Sequence, residues 1–303
     1  MKEKESRNEL VSVLVITYNS EKTILETLDS VYSQDYLNLE LIIADDGSID
    51  NTINICNTWI VSHKDRFVKY IIINSRSNTG TCSNLNRGVR VSSGVFVKII
   101  AGDDLLMPNC IKTLVEKIGE NDMIFSGLVQ FNEKGVVDVV ENIDYFKAIC
   151  SLDSSKRLKL YCRTMWFMNP PSQMYRRNIF DAIDYYDESS KIIEDVPFWV
   201  SFLSSDLKVI YIENKTVKYR LAGVSHTPQK IVRMQRLLSD TFFKYCRPHL
   251  SMYNPIDMMV IIDAEIWRFL AKLGFPFLLR LYGSRYNFEK KILKLLINKI
   301  YSL

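Results

Sequence analysis

Val11-Ser-Val-Leu-Val-Ile16 is a continuous apolar, β-branched run of strand length. It does not alternate apolar with polar residues, so it reads as a strand buried on both faces, as in a parallel sheet. Thr17-Tyr-Asn-Ser20 follows as a turn, and Ile24, Leu25, Leu28, Val31 and Tyr32 then recur at helical spacing, with Asn19 or Ser20 as the expected N-cap. The pattern repeats. Leu39-Glu-Leu-Ile-Ile-Ala44 is a second strand, Asp45-Asp-Gly-Ser-Ile-Asp50 a loop, and a helix runs through Ile53 and Trp59. Phe67 to Ile73 makes a third strand, Asn78-Thr-Gly80 opens a helix that ends near Gly94, and Val95-Phe-Val-Lys-Ile-Ile100 is a fourth strand closed by Ala101-Gly-Asp-Asp104. A βαβαβαβ series with short loops predicts a parallel sheet with right-handed crossovers and helices on both faces. Ligands bind such sheets at the carboxyl ends of the strands, so the loops there are where chemistry is expected.

After Pro108 the pattern is less regular. Short strands are expected at 123–126 and 128–131, and a loop at 187–190. Glu194-Asp-Val-Pro197 leads into a helix carrying Phe198, Trp199, Phe202 and Leu203, with Pro197 suited to its first turn. Strands follow at 208–212 and 216–220. Beyond Pro228 the chain reads as helices with loops at 248–255 and 274–276.

Composition narrows the function. At 47% hydrophobic and 24% charged the chain is of ordinary globular type. No apolar run reaches the roughly 18–20 residues that span a bilayer. Met1 to Leu10 lacks the apolar centre of a signal peptide, and the six cysteines lie far apart without C-x-x-C spacing, so buried reduced thiols in the cytoplasm are expected. The net charge of +4 is uneven: residues 264–303 carry +6 and the remainder −2. A slightly acidic body with a basic tail is not the profile of a nucleic-acid binder.

Four adjacent acid pairs stand out: Asp45-Asp46, Asp103-Asp104, Asp187-Glu188 and Glu194-Asp195. The first two follow immediately on buried strands. Neighbouring carboxylates there repel and lose hydration, a cost that a cation or a hydrogen-bonding ligand offsets. Gly102 before Asp103 allows close backbone approach to a ligand. Asp45-Asp-Gly-Ser48 reads equally as an ordinary turn with a helix cap, and Glu194-Asp195 equally as acids at the positive end of a helix. Mg²⁺ and Mn²⁺ bind through one or two carboxylates plus substrate phosphate oxygens, which suits a single acid pair. The histidines His63, His226 and His249 are scattered, and no Walker, dinucleotide-binding or nucleophile-elbow motif is present.

Taken in order, Val11-Ser-Val-Leu-Val-Ile-Thr-Tyr-Asn19, Leu41-Ile-Ile-Ala-Asp-Asp-Gly-Ser48, Asn78-Thr-Gly80 with Asn86-Arg-Gly88, Gly102-Asp-Asp104 with Pro108, and Glu194-Asp195 resemble a family 2 glycosyltransferase with the GT-A fold, over residues 10 to 225. The resemblance implies an α/β fold: a Rossmann-like, mixed, mostly parallel sheet flanked by helices, with a C-terminal helical extension. It divides the chain into a nucleotide-sugar-binding half at 1–105, an acceptor-binding and catalytic half at 106–227, and a helical region at 228–303. It implies inverting, hexosyl-type transfer from a nucleotide-diphosphate sugar, expected to be a UDP-sugar, to a hydroxyl of a glycan or lipid-linked glycan, as in bacterial surface-polysaccharide synthesis.

By the same resemblance, Thr17, Tyr18 and Asn19 contact the nucleoside, Asp46 accepts a hydrogen bond from the base, Asp103 contacts the ribose side, and Asp104 holds Mg²⁺ or Mn²⁺. Asp195 matches the general base and Glu194 its companion. Arg176, after Asn169-Pro-Pro-Ser172, and Arg220 and His226 are candidate phosphate or acceptor contacts. The chain departs from the family by having Ile16 where many relatives have Pro, Ala101-Gly102 where they carry another acid, and Gly80 where some have a basic residue. Trp166, Trp199 and Trp267 are sugar-stacking candidates whose ordinary alternative is core packing. In the tail, Phe288, Ile292, Leu295, Leu296, Ile300 and Leu303 share a helical stripe facing away from Lys290, Lys291 and Lys294, which reads as a basic amphipathic helix able to meet an anionic inner leaflet. Two other readings are a catalytically inactive glycan-binding or scaffolding module and a nucleotidyltransferase. The second would require a Gly-rich basic loop after strand one, and Thr17-Tyr-Asn19 does not supply it.

Overall fold

The computed structural model describes residues 8–137, 142–165, 168–190, 193–221 and 228–273. The chain divides into two compact units. One comprises Met1–Glu141, Met168–Glu194 and Leu207–Ala222, and the other Asn142–Phe167, Asp195–Asp206 and Gly223–Leu303.

The first unit is built on the predicted series. Strands β1 (Val11–Thr17), β2 (Leu39–Asp45), β3 (Lys69–Asn74) and β4 (Phe96–Ala101) are parallel, in spatial order β3-β2-β1-β4. Every residue of β2, and all of β1 except Ile16, is buried, which explains why neither alternates in sequence. The crossovers are helices α1 (Ile24–Tyr32), α2 (Thr52–His63) and α3 (Thr81–Val91). Ile24, Leu28 and Val31 form the buried face of α1. On α3, a Cβ at Gly88 would lie 2.3 Å from Leu14 Cδ1, so the missing side chain is what lets this helix lie close on β1.

The sheet then turns mixed. Strand β5 (Leu105–Leu106) and helix α4 (Cys110–Ile118) lead to β6 (Met123–Asn132) and its hairpin partner β7 (Gly135–Val137). Strand β8 (Met174–Arg176) inserts antiparallel between β4 and β6, and a short helix α7 (Ile179–Ala182) follows it. Strand β9 (Val209–Arg220) runs parallel to β6 and antiparallel to β5. Among the described residues the sheet has nine strands, ordered β3-β2-β1-β4-β8-β6-β9-β5 with β7 on β6.

Three expectations change. The separate strands expected at 123–126 and 128–131 are one, because register shifts on either side of Gly127 absorb the break in pattern. The strands expected at 208–212 and 216–220 likewise join as β9. Helix α1 begins at Ile24 rather than directly after Asn19 or Ser20, because a turn closed on the Ser20 carbonyl comes first and Asn19 is engaged elsewhere. The Ser20 carbonyl accepts from the Thr23 and Ile24 amides, each at 2.9 Å, and Asn19 bonds across to the β2 loop.

The second unit is helical: α5 (Ile143–Ser151), α6 (Ser154–Thr164), α8 (Asp195–Ser204), α9 (Pro228–Thr241) and α10 (Pro255–Leu273). Trp199 is buried among Tyr161, Phe198 and Phe202, and Arg163 pairs with the fully buried Asp257 at 2.7 Å. No helix among the described residues is long and apolar enough to cross a membrane.

Candidate active site

The strand order reverses between β1 and β4, since β1 leads outward to β2 on one side and to β4 on the other. Ligands of α/β sheets bind outside the carboxyl ends of strands at such a switch point. Here the strand ends are stitched together by backbone: the Asp46 amide donates to the Thr17 carbonyl (2.9 Å) and the Gly102 amide to that of Ile16 (2.8 Å). A Cβ at Gly102 would sit 2.9 Å from Thr17 Oγ1 and 3.1 Å from Ile24 Cδ1, so only glycine lets the β4 loop close on β1. The Thr17 hydroxyl is buried with no hydrogen-bond partner among the described residues.

Asp103 and Asp104 follow at once. Asp104 is 1% exposed. Its Oδ1 accepts from the Arg220 amide at 2.8 Å, while Oδ2 is buried and has no hydrogen-bond partner among the described residues. Burial and the adjacent Asp103 charge push the Asp104 carboxyl up to about 7, and burial also raises that of Asp103. Helix α1 fixes the loop from one side: Thr23 Oγ1 donates to the Gly102 carbonyl and Thr27 Oγ1 to that of Asp104, both at 2.8 Å. Arg220 fixes it from the other. Its Nε donates to the Asp103 carbonyl (2.8 Å), its Nη2 to Glu26 (2.7 Å), and its guanidinium lies over the Phe131 ring.

A buried carboxylate oxygen without a donor, next to a second carboxylate, is a site that a hard cation relieves. Among the described residues no three His, Cys, Asp or Glu side chains gather as a metal cluster. The pair therefore fits a cation whose remaining positions are filled by ligand oxygens and water, as Mg²⁺ and Mn²⁺ accept and a structural zinc does not.

The β2 loop is as tightly determined. Gly47 has φ +77°, and a Cβ there would meet the Ser77 carbonyl carbon at 2.6 Å. Asp45 holds the turn by accepting from Ser48. Asp46 takes four donors: the Thr79 amide (3.1 Å), the Thr79 hydroxyl (2.7 Å), the Gly80 amide (2.8 Å) and Arg87 Nη2 (2.7 Å). Burial opposes ionisation of Asp46, but these donors outweigh it and lower its pKa. The resemblance assigns this carboxylate to a nucleobase N–H. In the structure both its oxygens already have protein donors, and what it holds directly is the 79–80 loop. Asn19 is likewise structural in its contacts. Its backbone is left-handed (φ 51°), its amide donates to Ser48 Oγ and its Oδ1 accepts from the Ile49 amide. Tyr18 is exposed at the same rim.

Arg176 sits opposite Phe96, at the amino end of β4. Its guanidinium donates to the Gly119 and Asn121 carbonyls and lies over the Phe96 ring. Those contacts make it a structural residue. Glu194 is half-buried with its pKa raised by burial, and Asp195 is the first residue of α8. Trp199 is a core residue and Trp267 is half-buried on α10, while Trp166, His226 and residues 274–303 lie outside the described residues.

Several contributors carry little signal in the sequence. Thr79 and Arg87 lie within Asn78-Thr-Gly80 and Asn86-Arg-Gly88, but nothing in those motifs says that they hold Asp46. Thr23, just before α1, and Glu26 and Thr27 on it carry no motif of their own. Lys98 offered a signal, as a lone charge inside a buried strand. It is fully buried and donates to the Ile99 (2.9 Å) and Pro171 (2.5 Å) carbonyls, which ties β4 to the Asn169-Pro-Pro-Ser172 turn.

The sequence model of the family described as Glycosyl transferase family 2 matches residues 12–184. A glycosyltransferase of Haemophilus influenzae is 30% identical over 226 residues, covering 71% of this chain and 66% of its own length. The glycosyltransferase GlyG of Streptococcus pneumoniae is 33% identical over 115 residues, covering 38% of this chain and 37% of its own. The chain thus spans less than two thirds of either relative. Among solved structures, the fold resembles S. aureus TarS 1-349 in complex with UDP-GlcNAc (TM-score 0.56, 19% identity, 76% of this chain and 66% of that one). It also resembles the mannosyltransferase PcManGT from Pyrobaculum calidifontis in complex with GDP-Man and Mn²⁺ (TM-score 0.61, 17% identity, 87% and 73%).

Proposed function

The chain belongs to glycosyl transferase family 2, a family of transferases, and from that premise we propose that it moves a sugar, with inversion, from a nucleotide-diphosphate donor to a hydroxyl of a glycan or lipid-linked glycan. The observation that carries this reading is the buried Asp104 oxygen, without a donor among the described residues, beside Asp103 at the switch point of the sheet. The solved relatives support the donor class, since their structures hold UDP-GlcNAc in one case and GDP-Man with Mn²⁺ in the other.

In this reading Thr17, Tyr18 and Asn19 line the nucleoside side, and Asp46 shapes that pocket by holding residues 79–80. Asp104, with Asp103, would hold Mg²⁺ or Mn²⁺. Bound there, the cation offsets the negative charge that develops on the diphosphate leaving group. Arg220 keeps the two acids in place through the Asp103 carbonyl and Asp104 Oδ1. Asp195 acts as the general base that takes the proton from the acceptor hydroxyl, worth roughly 10²–10⁴-fold, with Glu194 as its companion. A hydroxyl is a weak nucleophile, and single displacement needs its proton removed on the face opposite the leaving group.

The test compares wild type, Asp104→Asn and Asp195→Asn with a panel of nucleotide sugars and Mn²⁺, following release of nucleoside diphosphate and, by calorimetry, donor affinity. Asp104→Asn is expected to lose turnover and the Mn²⁺-dependent part of nucleotide binding. Asp195→Asn should retain donor affinity within about twofold and lose turnover by at least 10²-fold. Full activity of wild type in excess chelator would remove the metal role. Weakened donor binding with normal saturated turnover in Asp195→Asn would remove the base.

A further inference from the structure

Helix α3 makes two sets of polar contacts, and only one belongs to the site described above. Arg87 and Asn84 hold the β2 end: Arg87 bonds Asp46, and Asn84 Nδ2 donates to the Ala44 carbonyl at 2.8 Å. The neighbouring face, carrying Cys82, Ser83, Asn86 and Arg90, grips the loop at 185–190. Asn86 is 1% exposed, and its amide closes on both sides of Tyr186: Nδ2 donates to the Tyr186 carbonyl (2.9 Å) and Oδ1 accepts from the Tyr186 amide (3.0 Å). A carboxamide, with a donor and an acceptor side by side, can pair with a backbone in this way; an aliphatic or carboxylate side chain cannot. Asn86 Nδ2 also donates to Glu188 Oε1 (2.8 Å), and Ser83 Oγ donates to Glu188 Oε2 (2.8 Å). Cys82 Sγ donates to the Ser190 carbonyl (2.7 Å), and Arg90 stacks over Tyr185. The chain of bonds continues, because Ser190 Oγ donates to the Ile193 carbonyl at 2.6 Å, one residue before Glu194.

These contacts are directional bonds rather than apolar packing, so they specify a path for the loop and do not merely bury it. We propose that Asn86 and Glu188 are positioning residues: through α3 they fix the 185–190 loop, which precedes Glu194–Asp195 in the chain, in register with the nucleotide-binding end of β2. This rests on the glycosyltransferase reading for what the two ends do. The Asp187–Glu188 acid pair, which the donor-side chemistry leaves without a role, thereby gains one.

The experiment uses the full chain with Asn86→Ala, Glu188→Ala and Glu188→Gln. Glu188 is 46% exposed at its side chain, so its variants fold even if loss of the buried Asn86 does not permit folding. Turnover, donor KM, UDP–Mn²⁺ affinity by calorimetry and hydrogen exchange over 185–194 are measured well below each melting temperature. Both alanine variants should lose at least tenfold in kcat with donor KM and UDP affinity within twofold of wild type, and should lose exchange protection over 185–190. Glu188→Gln, whose carbonyl oxygen still accepts from α3, should recover most of the rate. Unchanged exchange protection in both alanine variants, or a parallel fall of UDP affinity and rate, overturns the proposal. A wild type that handles no nucleotide sugar would sink the glycosyltransferase reading instead, and the exchange data alone would then decide whether the clamp exists.

Discussion

Lys98 shows what a single residue can reveal about this sheet. Its ammonium is fully buried in β4, and burial depresses its pKa from 10.5 to about 8, against the opposing pull of the Cys110 and Asp104 charges. Below pH 8 the group is protonated in folded and unfolded chains alike, so the folded state carries the whole cost of a buried charge. Between about 8 and 10.5 the unfolded chain still holds the proton and the folded one does not. The unfolded state then binds more protons, and this group's contribution to stability rises with pH. We therefore expect any stability advantage of Lys98→Met over wild type at pH 7 to shrink, or any deficit to deepen, by about 3 kcal/mol at pH 10. Urea denaturation of both proteins in chelator reads this difference, and the titrations of buried Tyr and Cys residues that do not interact with Lys98 cancel in it. A difference that does not change with pH would show that Lys98 stays charged through its two carbonyl bonds. At this scale the acids were legible, because adjacent carboxylates after buried strands are conspicuous in a sequence. Their partners were not. Arg220 lies 116 residues from Asp104 in sequence, and no local pattern announces that its amide completes the pair.

The elements were legible where hydrophobic period and loop chemistry agreed. Strands β1 and β2 are continuous apolar runs because helices cover both faces, and α1 kept a clean apolar stripe. Helix α6 is hidden in the sequence for a physical reason. The buried face of α6 carries Arg157 and Arg163, which interrupt the apolar period; Arg163 is matched by Asp257, 94 residues away, and Arg157 by the Ser205 carbonyl. Its cap was readable, since Asp153 accepts from the Lys156 amide, but a cap without an apolar stripe does not define a helix. Helix α3 is the element whose removal from register should matter most. Arg87→Met keeps the aliphatic stem and removes the bonds to Thr79, Asp46 and Asn84. Asp46 retains its other donors, so the fold should survive with a loss of about 1–3 kcal/mol. Nucleotide affinity should fall by about tenfold as the 79–80 loop loosens, which calorimetry with UDP would register. Unchanged affinity would place this loop outside the nucleotide pocket.

The whole molecule poses a question of coupling. The chain forms two compact units, and every described residue to which the donor-side reading gives a role, from Thr17 to Arg220, lies in the sheet unit. Ligand that binds only the folded state stabilises it by mass action, about 2.7 kcal/mol at a hundredfold excess over Kd. For a chain of this size that corresponds to a rise in melting temperature of about 4 °C. We expect UDP or GDP with Mn²⁺ to produce such a shift. Either nucleotide in chelator should produce a smaller one, and Asp104→Asn should abolish the difference between the two conditions. Scanning calorimetry adds the coupling. If the units unfold as separate transitions, only the one belonging to the sheet unit should move, because the described residues given a donor role lie there. If both move together, the units unfold as one cooperative body, and Asp195 at the head of α8 is linked energetically to the acid pair at the end of β4. A shift confined to the helical unit's transition would mean that the nucleotide binds away from Asp103 and Asp104, and the donor assignment would fall with it.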